Sequence, residues 1–139
     1  MPVFLDDIAA RASLSAAALH AALLILMLVG LTYFVIFNRR RAKVGLGDGG
    51  DTALGTAMRM HGNFAENAPF AIGALILLGL IGAAVWFIHF VGLAMLAGRI
   101  MHALGLWKSR GASMLRAAGM LLTHLSLLAA VAALMRFAL

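Results

Sequence analysis

The stretch LSAAALHAALLILMLVGLTYFVIF, residues 14–37, carries no charged side chain. It is long enough to cross a bilayer as an α-helix, which takes about 20 mostly apolar residues. It ends at Asn38 and runs straight into Arg39, Arg40, Arg41 and Lys43, cations that belong at a membrane surface. Three more apolar runs follow, at about residues 54–81, 85–106 and 113–137. A span in lipid has to satisfy its backbone hydrogen bonds internally, which helices do and open strands do not. The sequence therefore predicts an all-α integral membrane protein, a single domain over 1–139 built as a four-transmembrane-helix bundle.

Composition agrees. Of 139 residues, 64% are hydrophobic and 12% charged, against roughly 45–50% apolar in soluble domains. Mean hydropathy is +1.03. So few charges cannot cover that apolar surface in water, and the excess is expected to face lipid. The net charge of +6 sits at the ends of the apolar runs, not in a stripe interleaved with aromatics, so no nucleic-acid partner is expected. Cysteine is absent, which excludes disulfides and any protein thiol as nucleophile or metal ligand. Asp6 and Asp7 precede the first run where a signal peptide would be basic, so the first span is expected to be retained.

Arg39, Arg40, Arg41, Lys43, Lys108 and Arg110 fall in the first and third connections, and the second has no charge. The positive-inside rule then places those two connections in the cytoplasm and both termini outside. Residues 38–53 form the longer cytoplasmic loop; its glycine-rich part, GLGDGGDTALG at 45–55, lacks the Gly-Lys-Ser/Thr ending of a phosphate-binding loop and reads as a connector. Gly73, Gly79 and Gly82 permit close helix packing. Tyr33, Trp86 and Trp107 lie near span ends as interface anchors, and the methionines read as packing residues.

Several polar groups occupy the last three spans at odds with this pattern: Arg59, Asn63, Glu66, Arg99, His102 and Arg116. A charge at mid-bilayer costs at least about 2.5–3.5 kcal/mol on insertion scales, so such groups pair or serve a ligand. Arg59, Asn63, Glu66 and Phe70 recur at i, i+4, i+7 and i+11 and share one helix face. Asn67 flanks that face and His61 points to the opposite side. One reading makes Arg59, Glu66 and Arg99 an ion-pair network that staples the bundle. One carboxylate cannot neutralise Arg59, Arg99 and Arg116 together, however, and surplus cation in a low-dielectric cleft predicts an anionic ligand. The assigned orientation puts all of them near the cytoplasmic face. No metal site is expected, since no two histidines stand at i, i+4.

The segment RMHGNFAENAPF, residues 59–70, resembles the signature of the MAPEG superfamily, membrane-associated proteins of eicosanoid and glutathione metabolism. Arg59, Asn63, Glu66 and Pro69 match it without a gap. GRIMHALG at 98–105 is similar to the third-helix motif of the bacterial branch, and Arg116 stands where the family has a helix-four arginine. The resemblance covers essentially the whole chain and implies a homotrimer with glutathione bound between neighbouring subunits. Arg59 and Arg99 would take its carboxylates, Glu66 its ammonium, and Asn63 would both donate and accept. Arg116 would be the catalytic group, stabilising the thiolate for attack on a lipophilic electrophile that arrives through the membrane. His61, Asn67 and His102 complete the implied glutathione site. For His61 both a contact to a neighbouring subunit and a simple interfacial position stay open. The run from Arg39 to Lys43 is read as a topology determinant that can also reach a neighbour's ligand.

Two departures narrow the expectation. The branches that make leukotrienes or prostaglandins carry third-helix tyrosines, where this chain has His102 and Leu106, and Ala117 follows Arg116 where the prostaglandin branch has serine. General glutathione conjugation or peroxide reduction, in a bacterial cytoplasmic membrane, is therefore favoured over eicosanoid synthesis. Two other classes remain open: a small proton-coupled exporter that uses Glu66, and a non-catalytic membrane scaffold.

Overall fold

The structure, a computed structural model, describes residues 8–109 and 111–139. Asp6 and Asp7, which entered the signal-peptide argument, and Arg110, which entered the orientation argument, lie outside the described residues. Four helices follow one another: α1 (Ile8–Ala42), α2 (Thr52–Leu80), α3 (Val85–Lys108) and α4 (Met114–Ala138). All four are long and apolar enough to cross a membrane.

At about 1.5 Å per residue, the 35 residues of α1 exceed the roughly 30 Å hydrocarbon core of a bilayer. The sequence expectation ended the first span at residue 37, but the helix continues through Arg39, Arg40 and Arg41 in its last turn. Arginine is a good helix former, and cations there oppose the negative end of the helix dipole. The loop thus begins near Lys43, and positive φ at Lys43, Gly47, Gly49 and Gly50 folds it tightly. Asp51 caps α2, accepting from the Leu54 amide at 2.8 Å. Pro69 lies within α2 and leaves the Ala65 carbonyl without its usual amide donor.

The most extensive packing joins α3 to α4 and α1 to α2. Leu24, Phe64, Leu75, Leu78, Ile88 and Met95 fill the core. Polar stitches bind the helices where lipid offers no hydrophobic drive. Ser13 Oγ donates to the Ala83 carbonyl at 2.8 Å, and Ser126 Oγ to the Val91 carbonyl at 2.8 Å.

Of the three glycines expected to allow close packing, only Gly79 does so, against Ala17 and Leu14. Gly73 has no neighbour within 4 Å, and Gly82, at φ +68°, forms the α2–α3 turn. Among the glycines, the closest approach to another helix's backbone lies elsewhere, between α3 and α4. A Cβ on Gly119 would come within 2.6 Å of both the Gly98 carbonyl oxygen and the His102 amide nitrogen. A Cβ on Gly105 would meet the Arg116 backbone nitrogen at 2.8 Å.

Candidate functional site

The face of α2 that carries Arg59, Asn63 and Glu66 borders a cleft of about 340 Å³, closed by Met58, Gly62, His102, Leu106 and Arg116. Each wall follows from local sequence. The i, i+4, i+7 spacing aligns the α2 groups along one ridge. On the far side, the bare backbones of Gly105 and Gly119 let α4 lie directly on α3. That contact brings Arg116, from the first turn of α4, beside His102 near the end of α3. Arg116 Nη1 also donates to the Gly111 carbonyl at 2.8 Å. His102 is buried.

The structure therefore brings together Arg59, Asn63, Glu66, His102 and Arg116. Arg99 is placed differently. It is 2% exposed and does not line the cleft. Its Nε donates to Thr123 Oγ1 at 2.9 Å and its Nη1 to Asn63 Oδ1 at 2.6 Å and the Asn63 carbonyl at 3.3 Å. Its Nη2 lies 3.1 Å from the Met120 sulfur. Within one chain, this guanidinium supports Asn63 from behind, and the cleft-facing arginines are Arg59 and Arg116.

No ion pair joins Arg59, Arg99 or Arg116 to Glu66: none brings a nitrogen within 4.0 Å of its carboxylate. Glu66 is exposed on the single chain. Asn67 Nδ2 donates to the Asn63 carbonyl at 2.9 Å and stays outside the cleft lining. His61 turns toward α1, its Nε2 3.1 Å from Thr32 Oγ1, on the far side of α2 as the spacing requires. Among the described residues, no group of three or more His, Cys, Asp or Glu side chains is placed to hold a metal ion.

Toward the loop the cleft continues into a second recess, shared by Arg59, Leu106 and Arg116 and bordered by Asp48, Thr52 and Gly55. Sequence reasoning assigned Asp48 to a connector. Its carboxylate accepts from the Gly50 amide at 3.0 Å and packs over Gly55, where a Cβ would stand 3.2 Å from Oδ2. The loop is braced from α1. Arg39 Nη1 donates to the Val44 and Gly47 carbonyls at 3.2 and 3.0 Å, and Arg41 pairs with Asp51 at 2.7 Å. The Leu54 amide, more than the neighbouring Arg41, holds the Asp51 carboxyl below the usual aspartate range.

One further polar pair escaped the sequence. His20 and His89, distant in the chain, meet between α1 and α3 with Nε2 and Nδ1 2.9 Å apart. His20 is 2% exposed, and its Nδ1 has no hydrogen-bond partner. Gly92 makes the room, because a Cβ there would overlap the His20 ring. The missing side chain at Gly92 was the one available signal, and it is readable only once α1 is laid on α3.

Comparison with known proteins supplies a context for this cleft. Residues 17–136 match the model of the MAPEG family. The chain is 37% identical over 102 residues to inner membrane protein YecN of Escherichia coli (strain K12), covering 69% of this chain and 78% of that protein. The same identity and coverage hold for inner membrane protein YecN of Escherichia coli O6:H1. No solved structure matches. The family match reaches into all four helices and covers the whole cleft, and the chain belongs to the MAPEG family.

Proposed function

We propose that the protein is a membrane-bound glutathione transferase, or a related glutathione peroxidase, working as a homotrimer. The observation that carries this reading is the convergence of Arg59, Asn63, Glu66 and Arg116 on one cleft, with no ion pair among the described residues consuming the two arginines. Glutathione offers two carboxylates, an ammonium and a thiol. Arg59 takes a carboxylate, Glu66 the ammonium, and Asn63, held by Arg99, a polar group of the peptide backbone. Arg116 stands beside the sulfur and favours the thiolate. The thiolate attacks the electrophilic carbon of a lipophilic substrate. A carbon–sulfur bond forms, and the leaving group departs with its bonding electrons.

Two features support assembly. Glu66 is exposed on the single chain, and Phe70, one turn further along the same face, is 72% exposed. A carboxylate left against lipid is costly, so a neighbouring copy is expected to cover that face. Of the basic run, Arg39 and Arg41 are engaged by the loop, whereas Arg40 is exposed and remains to reach a neighbour's ligand. The relative's name supports a bacterial cytoplasmic membrane. With the positive connections inside, the termini are outside and the cleft opens to the cytoplasm.

Calorimetry with glutathione on detergent-purified protein tests the reading, with Arg59→Ala, Glu66→Gln and Arg116→Ala alongside. Saturable binding that is weakened by the first two changes is expected. A folded protein that binds no glutathione at millimolar concentration would overturn it in favour of a transporter or scaffold.

A further inference from the structure

At the end of the bundle opposite the polar cleft, a groove of about 580 Å³ runs between the α2–α3 turn and the end of α4. Its floor and rim are apolar or aromatic: Ile81, Phe87, Ala133, Trp86 and Phe137, the last two 71% and 66% exposed. One cation, Arg136 in the last turn of α4, lines it. Arg136 is exposed and, among the described residues, has neither a hydrogen bond nor an ion pair. Residues 67–98, from the second half of α2 through the turn and into α3, contain no acidic side chain.

We propose that this groove binds an anionic phospholipid, with the phosphate against Arg136 and the upper acyl chain along Ile81, Phe87 and Ala133. Three observations select that occupant. The groove lies at the helix ends, the depth of the headgroups, where tryptophan is at home. Its walls are too apolar for a soluble anion, yet its single charge has no partner among the described residues. A basic residue at a membrane surface attracts anionic lipid over zwitterionic lipid, and an arginine fork fits a phosphate. At the α3 N-terminus, Ala84 supplies no side-chain cap, so amide donors of the first turn face the same headgroup layer.

The two tryptophans stand at opposite ends of the bundle, Trp86 in the groove and Trp107 near the end of α3, which makes a local test possible. In a Trp107→Phe protein, Trp86 is the sole tryptophan, and its quenching by brominated lipids in mixed micelles reports groove occupancy. Brominated phosphatidylglycerol should quench at about fivefold lower mole fraction than brominated phosphatidylcholine, the preference expected for one basic residue. Arg136→Gln should abolish that preference. Arg40→Gln, at the other end, should leave it intact, and glutathione calorimetry should be unchanged in Arg136→Gln. Equal quenching by the two lipids, or a preference that survives Arg136→Gln, would overturn the proposal. So would competition by millimolar inorganic phosphate that displaces the lipid completely, since the site would then hold a free anion.

Discussion

Arg99 grips Asn63 across the α2–α3 boundary, with Nη1 2.6 Å from Oδ1, and it does so without a carboxylate partner. Its remaining contacts are a threonine hydroxyl, a backbone carbonyl and a methionine sulfur. A buried cation balanced by dipoles alone depends on every one of them. Arg99→Gln is expected to lower glutathione affinity at least about tenfold, a loss of about 1.4 kcal/mol, by releasing Asn63. In that background Asn63→Ala should add little, because both changes remove the same contact. Calorimetry on the two single variants and the double variant checks this; additive losses would mean that the residues act separately.

The α3–α4 contact gives a paired prediction. Gly119→Ala puts a methyl against two backbone atoms that cannot move aside and should cost about 1–3 kcal/mol. Gly73→Ala, on an exposed helix face with nothing within 4 Å, should be neutral or stabilising by up to about 1 kcal/mol. Thermal unfolding in detergent separates the two, and equal effects would contradict the packing described.

His89→Leu should cost about 1–3 kcal/mol by leaving the buried His20 ring without its one hydrogen bond. Residues 12–38, 67–98 and 117–135 contain no Asp, Glu, Lys or Arg, so no charged group in those stretches can replace the lost partner. Gly92→Ala should disturb the same joint by displacing the ring. Both variants are expected to keep glutathione affinity, because the pair lies outside the cleft lining. A stability change accompanied by lost binding would tie the pair to the site.

Asp51 titrates below the ordinary aspartate range, chiefly because its carboxylate accepts from the Leu54 amide, with Arg41 assisting. A depressed folded value means that its contribution to the loop is complete above the unfolded value of about 3.9. It is lost as pH falls through the lower folded value. The Leu54 amide shift should follow that titration by NMR, with a midpoint under the free value. Asp51→Asn keeps the cap and should remove the titration. A midpoint at the free value would show that the cap is not formed in solution.

The four spans and the α2 stripe were legible because each is a property of one helix: an apolar run, and a 3.6-residue period shared by Arg59, Asn63 and Glu66. Arg116 was marked as a cation out of place near a span start. What was hidden depends on which helix meets which. Arg99 read as a ligand group because its partners Asn63, Thr123 and Met120 are spread over two other helices. The important glycines are those facing a neighbouring backbone, Gly98, Gly105 and Gly119, and residue type alone does not separate them from Gly73. Helix α1 runs past residue 37 because arginines mark a membrane surface and yet continue a helix.

The neutral cradle around Arg99 also bears on how the chain enters the membrane. During synthesis, α3 is complete before Thr123 and Met120 have been joined to the chain, so its guanidinium emerges with half of its cradle unmade. Left alone at that depth it would draw α3 back toward water. The close glycine seam between α3 and α4 offers the way out. The two helices are expected to leave the translocon together as a hairpin, Arg99 already tucked against its partner, so that membrane insertion of α3 waits on the translation of α4.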